Sequence, residues 1–511
     1  MYNFRPNGEL YLRTMKNFGR LHDGIYHCWK VPHCDLSWPG DYEGRALLGL
    51  ISQAQVNGIA PVYLKELTDC MFERSAEFGY FGDKFDPEVI NEQQLSGNSW
   101  FLRSMVELYK YNGDERALDR VRRGIENLFL PCIGHYNEYP LERKTSKDGK
   151  ESGELDKLNG RWLCSTDIGC AYIPLDGVTS CYELLGYMGD DCEKLEVLID
   201  EMIENYFKLD FLGMKVQTHA TLSGLRGVLR YAGLAEKPEL IEKVKGVFAL
   251  YLSDGMTENY ENKNWFRRPE WTEPCAIIDS FAVAAQLFDA TGDPFYMNIA
   301  QKIYFNGIST SQRSNGGFGT DKCVGADSRD TIAIGCREAT WCCTMRGGEG
   351  FKYIIMNSVK EKSDAAYVNI PASGRFESRY GSFEIKTNYP YEGKIEVVSK
   401  DYLLPICVFI PDYVEKVTLN GKEVEVIDGF VPVFGSGTVE FEIPLVSDKN
   451  VYLHGNLVLC GKEKIEGEYL PEDKAHGIYS NGESKIFPVR EAFFPWDDIE
   501  DRVYYVMKGL V

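Results

Sequence analysis

The sequence predicts a mainly α protein with a β domain: an α/α barrel of helical hairpins, of the six-hairpin toroid type, followed by an antiparallel β-sandwich. Three observations point there. One device recurs at Asn112-Gly113-Asp114, Met188-Gly189-Asp190 and Thr291-Gly292-Asp293, where one helical run ends and the next begins. Glycine takes the left-handed position that stops a helix, and aspartate accepts the free N–H groups that open another. Beyond about Asp364 the apolar period changes from helical to two. At 511 residues the chain also exceeds one ordinary core, so two or three domains are expected.

In chain order, residues 1–40 carry aromatics and three histidines (His22, His27, His33) without clear periodicity, and read as an irregular lead-in packed on the main domain. Asp41-Tyr-Glu-Gly-Arg45 opens a helical pattern through Gln55, and Val62 to Phe78 continues it. Ser99–Asn112 then pairs with Glu115–Leu130, Gly177–Met188 with Cys192–Phe207, and Ala276–Thr291 with Pro294–Phe305. Ala220–Tyr231 and Pro238–Leu252 form another pair turning at Gly233, with Leu222, Leu225, Val228 and Leu229 on one face. With the helix after Gly348 this makes five to six hairpins over 41–364, loose and unequal enough to favour a closed barrel over a regular solenoid. Strands are expected at Phe383–Thr387, Lys394–Val398, Ile406–Ile410 and Val439–Ile443, with Asn420-Gly421 as a hairpin turn. These give a sandwich over 365–460, and 461–511 is left as a C-terminal extension with a short strand near Val503.

Composition narrows the function. A net charge of −21 disfavours nucleic acid and anionic membranes as partners and suits a neutral substrate such as a sugar. No run is long and apolar enough to span a membrane, and the first residues lack the basic and apolar regions of a signal peptide. The 15 cysteines are an odd count without a disulfide-like framework, which reads as reduced thiols in a cytoplasm.

The chemistry gathers around Trp341-Cys342-Cys343-Thr-Met-Arg346. Adjacent cysteines close a disulfide only with strain, so in a reducing compartment they suit two thiolates facing one metal. Upstream, Glu273-Pro274-Cys275 sets a carboxylate two residues from a thiol. Glu273, Cys275, Cys342 and Cys343 together offer one oxygen and three sulfurs, a donor set that suits zinc. The opposing reading is three ordinary core cysteines and an unrelated glutamate.

Glu273-Pro-Cys275-Ala, Leu287-Phe-Asp-Ala-Thr-Gly-Asp293 and Tyr304-Phe-Asn-Gly307 resemble glycoside hydrolase family 127, the β-L-arabinofuranosidases. Cys342-Cys343-Thr-Met-Arg346 resembles that family's C-C-P-P-N motif, and Thr387-Asn-Tyr-Pro-Tyr-Glu-Gly393, Ile410-Pro-Asp-Tyr and Leu419-Asn-Gly-Lys resemble its sandwich motifs. The resemblance covers most of 41–450 and implies zinc held by Glu273, Cys275, Cys342 and Cys343, with Cys342 as nucleophile. It implies an acid/base glutamate shortly before Glu273, best matched by Glu258, with Glu261 and Glu270 as rivals. It also implies substrate contacts at Asn91, Asn98, His219 and Gln301. Only His219 keeps the family's residue: Asn91 and Asn98 stand where it has histidines, Pro174 near another histidine, and Gln301 where it has glutamate.

The chemistry so implied is a retaining exo-glycosidase in which a zinc-bound thiolate replaces the usual nucleophilic carboxylate and a glutamate is acid, then base. Tyr260, Trp265 and Trp271 would supply the apolar surround that keeps Glu258 protonated. The substrate would be a carbohydrate such as a β-L-arabinofuranoside. Self-association is a further expectation. A zinc deaminase is excluded, because Pro274-Cys275 has no second cysteine in P-C-x-x-C spacing. A barrel sugar epimerase would rely on histidines that this barrel lacks. A zinc-containing sugar-binding or structural homologue without hydrolase activity is the alternative.

Overall fold

The computed structural model describes residues 3–27, 37–143, 152–323, 331–448, 451–462, 468–493 and 503–506. His33 lies outside them. The chain is helical first and β-rich afterwards. The helices are α1 (Gly8–Leu21), α2 (Asp41–Asn57), α3 (Leu64–Arg74), α4 (Glu92–Asn112), α5 (Glu115–Gly124), α6 (Pro174–Met188), α7 (Glu193–Tyr206), α8 (Thr218–Leu234), α9 (Glu239–Leu250), α10 (Pro274–Thr291) and α11 (Pro294–Lys302). A one-turn α12 (Ser309–Ser311) and the long α13 (Cys343–Ser358) complete the set used below.

Six helices pack side by side in cyclic order: α2 on α4, α4 on α6, α6 on α8, α8 on α10, α10 on α13, and α13 back on α2. Each ring helix also meets its sequence partner, as in α4 with α5 and α10 with α11. The ring helices are buried on almost every face. From Pro274 to Ala285, α10 exposes nothing, and its outer partner α11 begins with the exposed Phe295. Such close packing needs glycine at the crossings. A Cβ on Gly44 would lie 2.3 Å from the Phe101 nitrogen, and one on Gly227 would lie 2.3 Å from the Leu175 carbonyl carbon.

The helix-stopping device works as expected at two of its three positions. Gly113 and Gly292 take φ of 71° in both cases, and Asp114 and Asp293 cap the next helices through Arg116 N and Phe295 N. At the third, Gly189 stops α6, but α7 starts only at Glu193, whose N–H is taken by Asp191. The turn expected at Gly233 falls later, since α8 runs to Leu234 and the left-handed residue is Glu236.

The N-terminal segment departs from the irregular lead-in expected of it. Phe4–Pro6 is a strand paired with Gly374–Phe376, and α1 follows. The inner face of α1 mixes polar and apolar residues (Leu10, Arg13, Thr14, Asn17, Phe18, Leu21), so an apolar count alone does not reveal its period.

After α13 the chain builds sheets. A seven-stranded antiparallel sheet takes in Phe4–Pro6, Gly374–Ser378, Gly381–Thr387, Lys394–Ser399, Gly437–Phe441, Val417–Leu419 and Lys422–Glu423. Asn420 and Gly421, both at positive φ, make the expected hairpin turn. A four-stranded sheet holds Phe430–Val433, Ile406–Phe409, Ala366–Val368 and Val359–Glu361. One of its pairings, Ile406–Val408 with Ala366–Val368, is parallel, where all were expected antiparallel. In the helical half Ile90–Asn91 also pairs parallel with Trp162–Leu163, at the entrance to α4. The expected boundary at 460 cuts the strand Leu457–Gly461. A third sheet joins that strand to Lys485–Pro488 and, through Val503–Val506, to Thr331–Ile334 just ahead of the cysteine pair.

Candidate active site

The ring helices run in one direction, so their N-termini share one mouth. Asp41 opens α2, His219 is the second residue of α8, Glu273 precedes α10, Cys275 lies in its first turn, and Cys342-Cys343 start α13. Helix N-termini carry partial positive charge and unpaired N–H groups, which favour thiolates and carboxylates. They enclose a cavity of about 510 Å³ whose walls include His219, Glu273, Cys342 and Cys343.

The three thiols expected together are together. Cys342 Sγ and Cys343 Sγ stand 3.3 Å apart, and Cys275 Sγ and Cys343 Sγ 3.7 Å apart. All three lie within 4.8 Å of one another. Glu273, His219 and Cys275 form a second such group sharing Cys275. Four donors about 2.3 Å from a tetrahedral zinc would stand about 3.8 Å apart, so these sulfurs already have the spacing of a closed thiolate site. Glu273 reaches the cluster from one side. Its Oε1 is 3.2 Å from His219 Nδ1, its Oε2 accepts from Gln217 Nε2 at 3.4 Å, and its backbone N–H donates to Asn262 Oδ1 at 2.7 Å.

The electrostatics of the cluster are one-sided. Burial pushes the Cys275 thiol up, but hydrogen bonds from Cys342 and Cys343, together with Arg45 and His219, hold it well below the usual thiol range. Hydrogen bonding to Cys275 raises Cys342, and burial raises Cys343. The protein alone thus supports one thiolate among three thiols. Arg45 Nη1 donates to Cys275 Sγ at 3.6 Å, while its Nε is committed to Asp41 at 2.8 Å. Burial opposes the charge on His219, yet Glu273, Cys275 and Asp279 hold its pKa above the ordinary value. Trp100 underlies the group, with Arg45 4.2 Å and Arg346 4.4 Å from its ring and His219 stacked at 5.9 Å.

Asn91, Asn98 and Gln301 stand outside the cavity wall. Asn91 caps α4 through Gln93 N and Gln94 N. Asn98 accepts from Phe81 N at 2.8 Å and donates to the Phe81 and Gln94 carbonyls. Gln301 donates to the Asn369 carbonyl at 2.7 Å and accepts from Tyr389 and Asn456, joining the helical half to the strands. Of the four proposed sugar contacts, His219 alone lines the cavity.

Glu258 is half-buried in the loop after α9 and is likewise absent from the cavity wall. Glu261 is buried: its own burial and Asp321 push its carboxyl well up, and Asn259 donates to it at 2.8 Å. Glu270 is exposed and paired with Arg268 at 2.6 Å. Trp271 lines the cavity, and Trp265 packs edge-on against it at 5.5 Å.

Sequence reasoning passed over two carboxyls in the wall, Asp41 and Asp167. Asp167 accepts from Ser152 Oγ at 2.8 Å and from Gly153 N at 2.8 Å. Burial, and then the charge of Glu273, raise its pKa to about 7. Asp41 and Arg45 carried a signal, as an acid–base pair four residues apart at a helix start. Asp167, a lone loop carboxylate, carried none. Trp341, 56% exposed, stands at the rim beside Cys342.

No family model and no curated protein matches this chain. Solved structures do. A family 127 β-arabinofuranosidase aligns at TM-score 0.66 and 13% identity over 99% of this chain and 97% of its own. A family 127 β-L-arabinofuranosidase from Geobacillus stearothermophilus T6 aligns at TM-score 0.67 and 13% identity, covering 99% and 100%. A further protein described as a glycoside hydrolase aligns at 0.66 and 13%, covering 100% and 96%. The family 127 fold therefore runs through the whole chain, in agreement with the resemblance of the motifs.

Proposed function

We propose that this chain is a retaining exo-glycosidase with a cysteine nucleophile, acting on a furanoside such as a β-L-arabinofuranoside. The ring of helices is read as a six-hairpin α/α barrel and the strands after α13 as a β-sandwich with a C-terminal extension. The observation that carries the proposal is the cluster of Cys275, Cys342 and Cys343 beside Glu273, with Glu273, Cys342 and Cys343 in the cavity wall, on a fold that family 127 glycosidases share. Sulfur spacing and donor set fit zinc, with Glu273, Cys275, Cys342 and Cys343 as holders. When bound, zinc would keep the thiols ionised at neutral pH and ease departure of sulfur from the sugar.

Cys342 borders the cavity and is the thiol best placed to meet a substrate. Its Sγ attacks the anomeric carbon with an electron pair. The glycosidic C–O bond breaks, and the leaving oxygen takes a proton from a carboxylic acid. In the second step the resulting carboxylate takes a proton from water, the water oxygen bonds to the anomeric carbon, and the C–S bond breaks. Trp271 and Trp341 flank this space and exclude water from one face of the sugar, and His219, held by Glu273 and Asp279, presents its ring to it.

The resemblance gives the acid/base role to Glu258. A second reading, Asp167, is favoured by its place in the wall and by a pKa raised to about 7, which keeps a substantial share of it protonated at neutral pH. With an activated aryl β-L-arabinofuranoside, the true acid/base variant, Glu258→Gln or Asp167→Asn, should complete the first step and stall in the second, with azide restoring turnover. Mass spectrometry of the stalled protein should find the sugar on Cys342. A fully zinc-loaded protein with no turnover on any aryl furanoside or pyranoside, yet saturable sugar binding in this cavity, would instead favour a binding protein without hydrolase activity.

A further inference from the structure

Of the sugar contacts that the resemblance implies, only His219 reaches the cavity, and both of its ring nitrogens are engaged. Nδ1 stands 3.2 Å from Glu273, and Nε2 stands 3.4 Å from Asp279 and is shielded from solvent. His219 can therefore offer a sugar only its ring carbons. Two other buried side chains of the same wall each keep one polar atom free. The first is Arg45, one turn into α2. The i, i+4 spacing brings its Nε onto Asp41 at 2.8 Å, and its Nη1 donates to Cys275 Sγ at 3.6 Å. Its guanidinium is held over Trp100, 4.2 Å from the ring centre. The third nitrogen, Nη2, has no partner among the described residues. It is not shielded from solvent, although the side chain is only 5% exposed, so what it shows opens on the cavity that Arg45 lines.

The second is Gln217, the residue before α8, which is 4% exposed. Its amide nitrogen donates to Glu273 Oε2 at 3.4 Å, and that carboxylate partner fixes the amide's orientation. The opposite oxygen, Oε1, accepts no hydrogen bond among the described residues and is likewise not shielded from solvent. Buried side chains seldom leave polar atoms unpaired, so a donor and an acceptor open to one cavity mark where a ligand would pair with the protein. The surroundings select its chemistry. Asp41, Asp167, Glu273 and the three thiols lie in or behind this wall against one guanidinium and one imidazole, which disfavours an anion. The guanidinium donor disfavours an ammonium group. A neutral hydroxyl donates and accepts, and so meets both atoms. Arg45 touches Cys275, which lies within 4.8 Å of Cys342, so the hydroxyls in reach are those near the carbon that Cys342 would attack.

We infer that Arg45 and Gln217 read the sugar in this site, Arg45 Nη2 donating to and Gln217 Oε1 accepting from ring hydroxyls close to the anomeric carbon, in place of Asn91, Asn98 and Gln301. The inference rests on the proposed reading of this cavity as a furanoside site. Titration calorimetry of the intact, reduced chain, with its metal content measured alongside, tests it. The probes are 1,4-anhydro-L-arabinitol, a furanose ring without an anomeric oxygen that binds but cannot turn over, and its 2-deoxy and 3-deoxy forms. Wild type should bind the parent ring saturably and at least one deoxy form about ten-fold more weakly, the equivalent of one lost hydrogen bond. Arg45→Lys keeps a cation beside Asp41 but loses the fork. It should bind the parent ring about ten-fold more weakly and no longer distinguish it from that deoxy form. Gln217→Met, of similar size without the acceptor, should do the same for the hydroxyl it reads. If Arg45→Lys unfolds or loses its metal, Gln217→Met decides. The inference is overturned if the parent ring does not bind, if both variants keep wild-type affinity, or if each variant weakens all three ligands equally, as a purely structural role would. Turnover of an aryl furanoside without this coupling would sink the inference and leave the hydrolase reading standing. Coupling without turnover would do the opposite.

Discussion

Two buried charged regions share the interior of this ring, and they are built on opposite principles. In the deeper one Arg103, Arg226 and Arg346 face Asp176, Asp279 and Glu349, and every charge has an opposite partner. In the one at the helix N-termini, three thiols and Glu273 share one imidazole and one guanidinium, and the latter is already committed to Asp41. Desolvating an ion costs several kcal/mol unless partners repay it. The deeper network repays itself and serves the fold. The thiol cluster lacks the partners to ionise fully, and that deficit is what the proposed metal ion would fill.

The largest difference should appear when one member of each region is removed. Cys275→Ser should take zinc content from about one per chain to none and abolish hydrolysis, while far-ultraviolet circular dichroism stays that of the folded chain, because Cys275 is one residue of an otherwise intact α10. Asp279→Leu should do the reverse to stability. It removes the carboxylate that Arg226 and Arg346 share, leaving two buried guanidinium groups short of counter-charge, and should cost about 3–5 kcal/mol in urea unfolding. If Cys275→Ser unfolds the chain and Asp279→Leu does not, the contrast between site and scaffold is inverted.

Asn98 sharpens the contrast from another side. Asn98→Ala leaves the Phe81 N–H and C=O without their partner and should cost about 1–3 kcal/mol, with no change in KM for a substrate of the remaining activity. A KM effect without a stability effect would return Asn98 to the sugar-reading role that the resemblance implies.

The smallest effect is expected at the edge of the molecule, where Glu9 links Arg13 of α1 to Arg490 near the C-terminal strands. Burial raises the Glu9 pKa, but the two guanidinium groups outweigh it and hold the carboxyl at about 2. With its folded pKa below the unfolded value, Glu9 contributes stability fully above about pH 4.5, and that stability is lost as pH falls towards 2. Its side chain is 39% exposed, so screening limits the link to under about 1 kcal/mol, read as the difference between wild type and Glu9→Gln at pH 7 vanishing near pH 2.

The parts legible from sequence were those with short-range signals. Cys342-Cys343 and Glu273-Pro-Cys275 announce themselves because the donors are adjacent in the chain and each opens a helix. Gly113 and Gly292 mark helix ends because only the local backbone decides them. Misreadings came where tertiary contact overrode local appearance. The helix α4 was expected only from Ser99. Yet Gly97 is there because a Cβ would lie 2.4 Å from the Pro39 carbonyl oxygen, and the helix begins at Asn91's cap. With that start Asn91 caps the helix and Asn98 braces the Phe81 backbone. Asp167 was invisible because its environment is assembled from Ser152-Gly153 and Glu273, two stretches distant from each other in sequence.

The central claim is that the thiol cluster is completed by a metal ion, and metal analysis of protein purified reduced and without added zinc tests it most directly. One zinc per folded chain is expected, falling to none in Cys275→Ser and in Cys343→Ser. Folded wild-type protein with all its thiols reduced and no bound metal would contradict it.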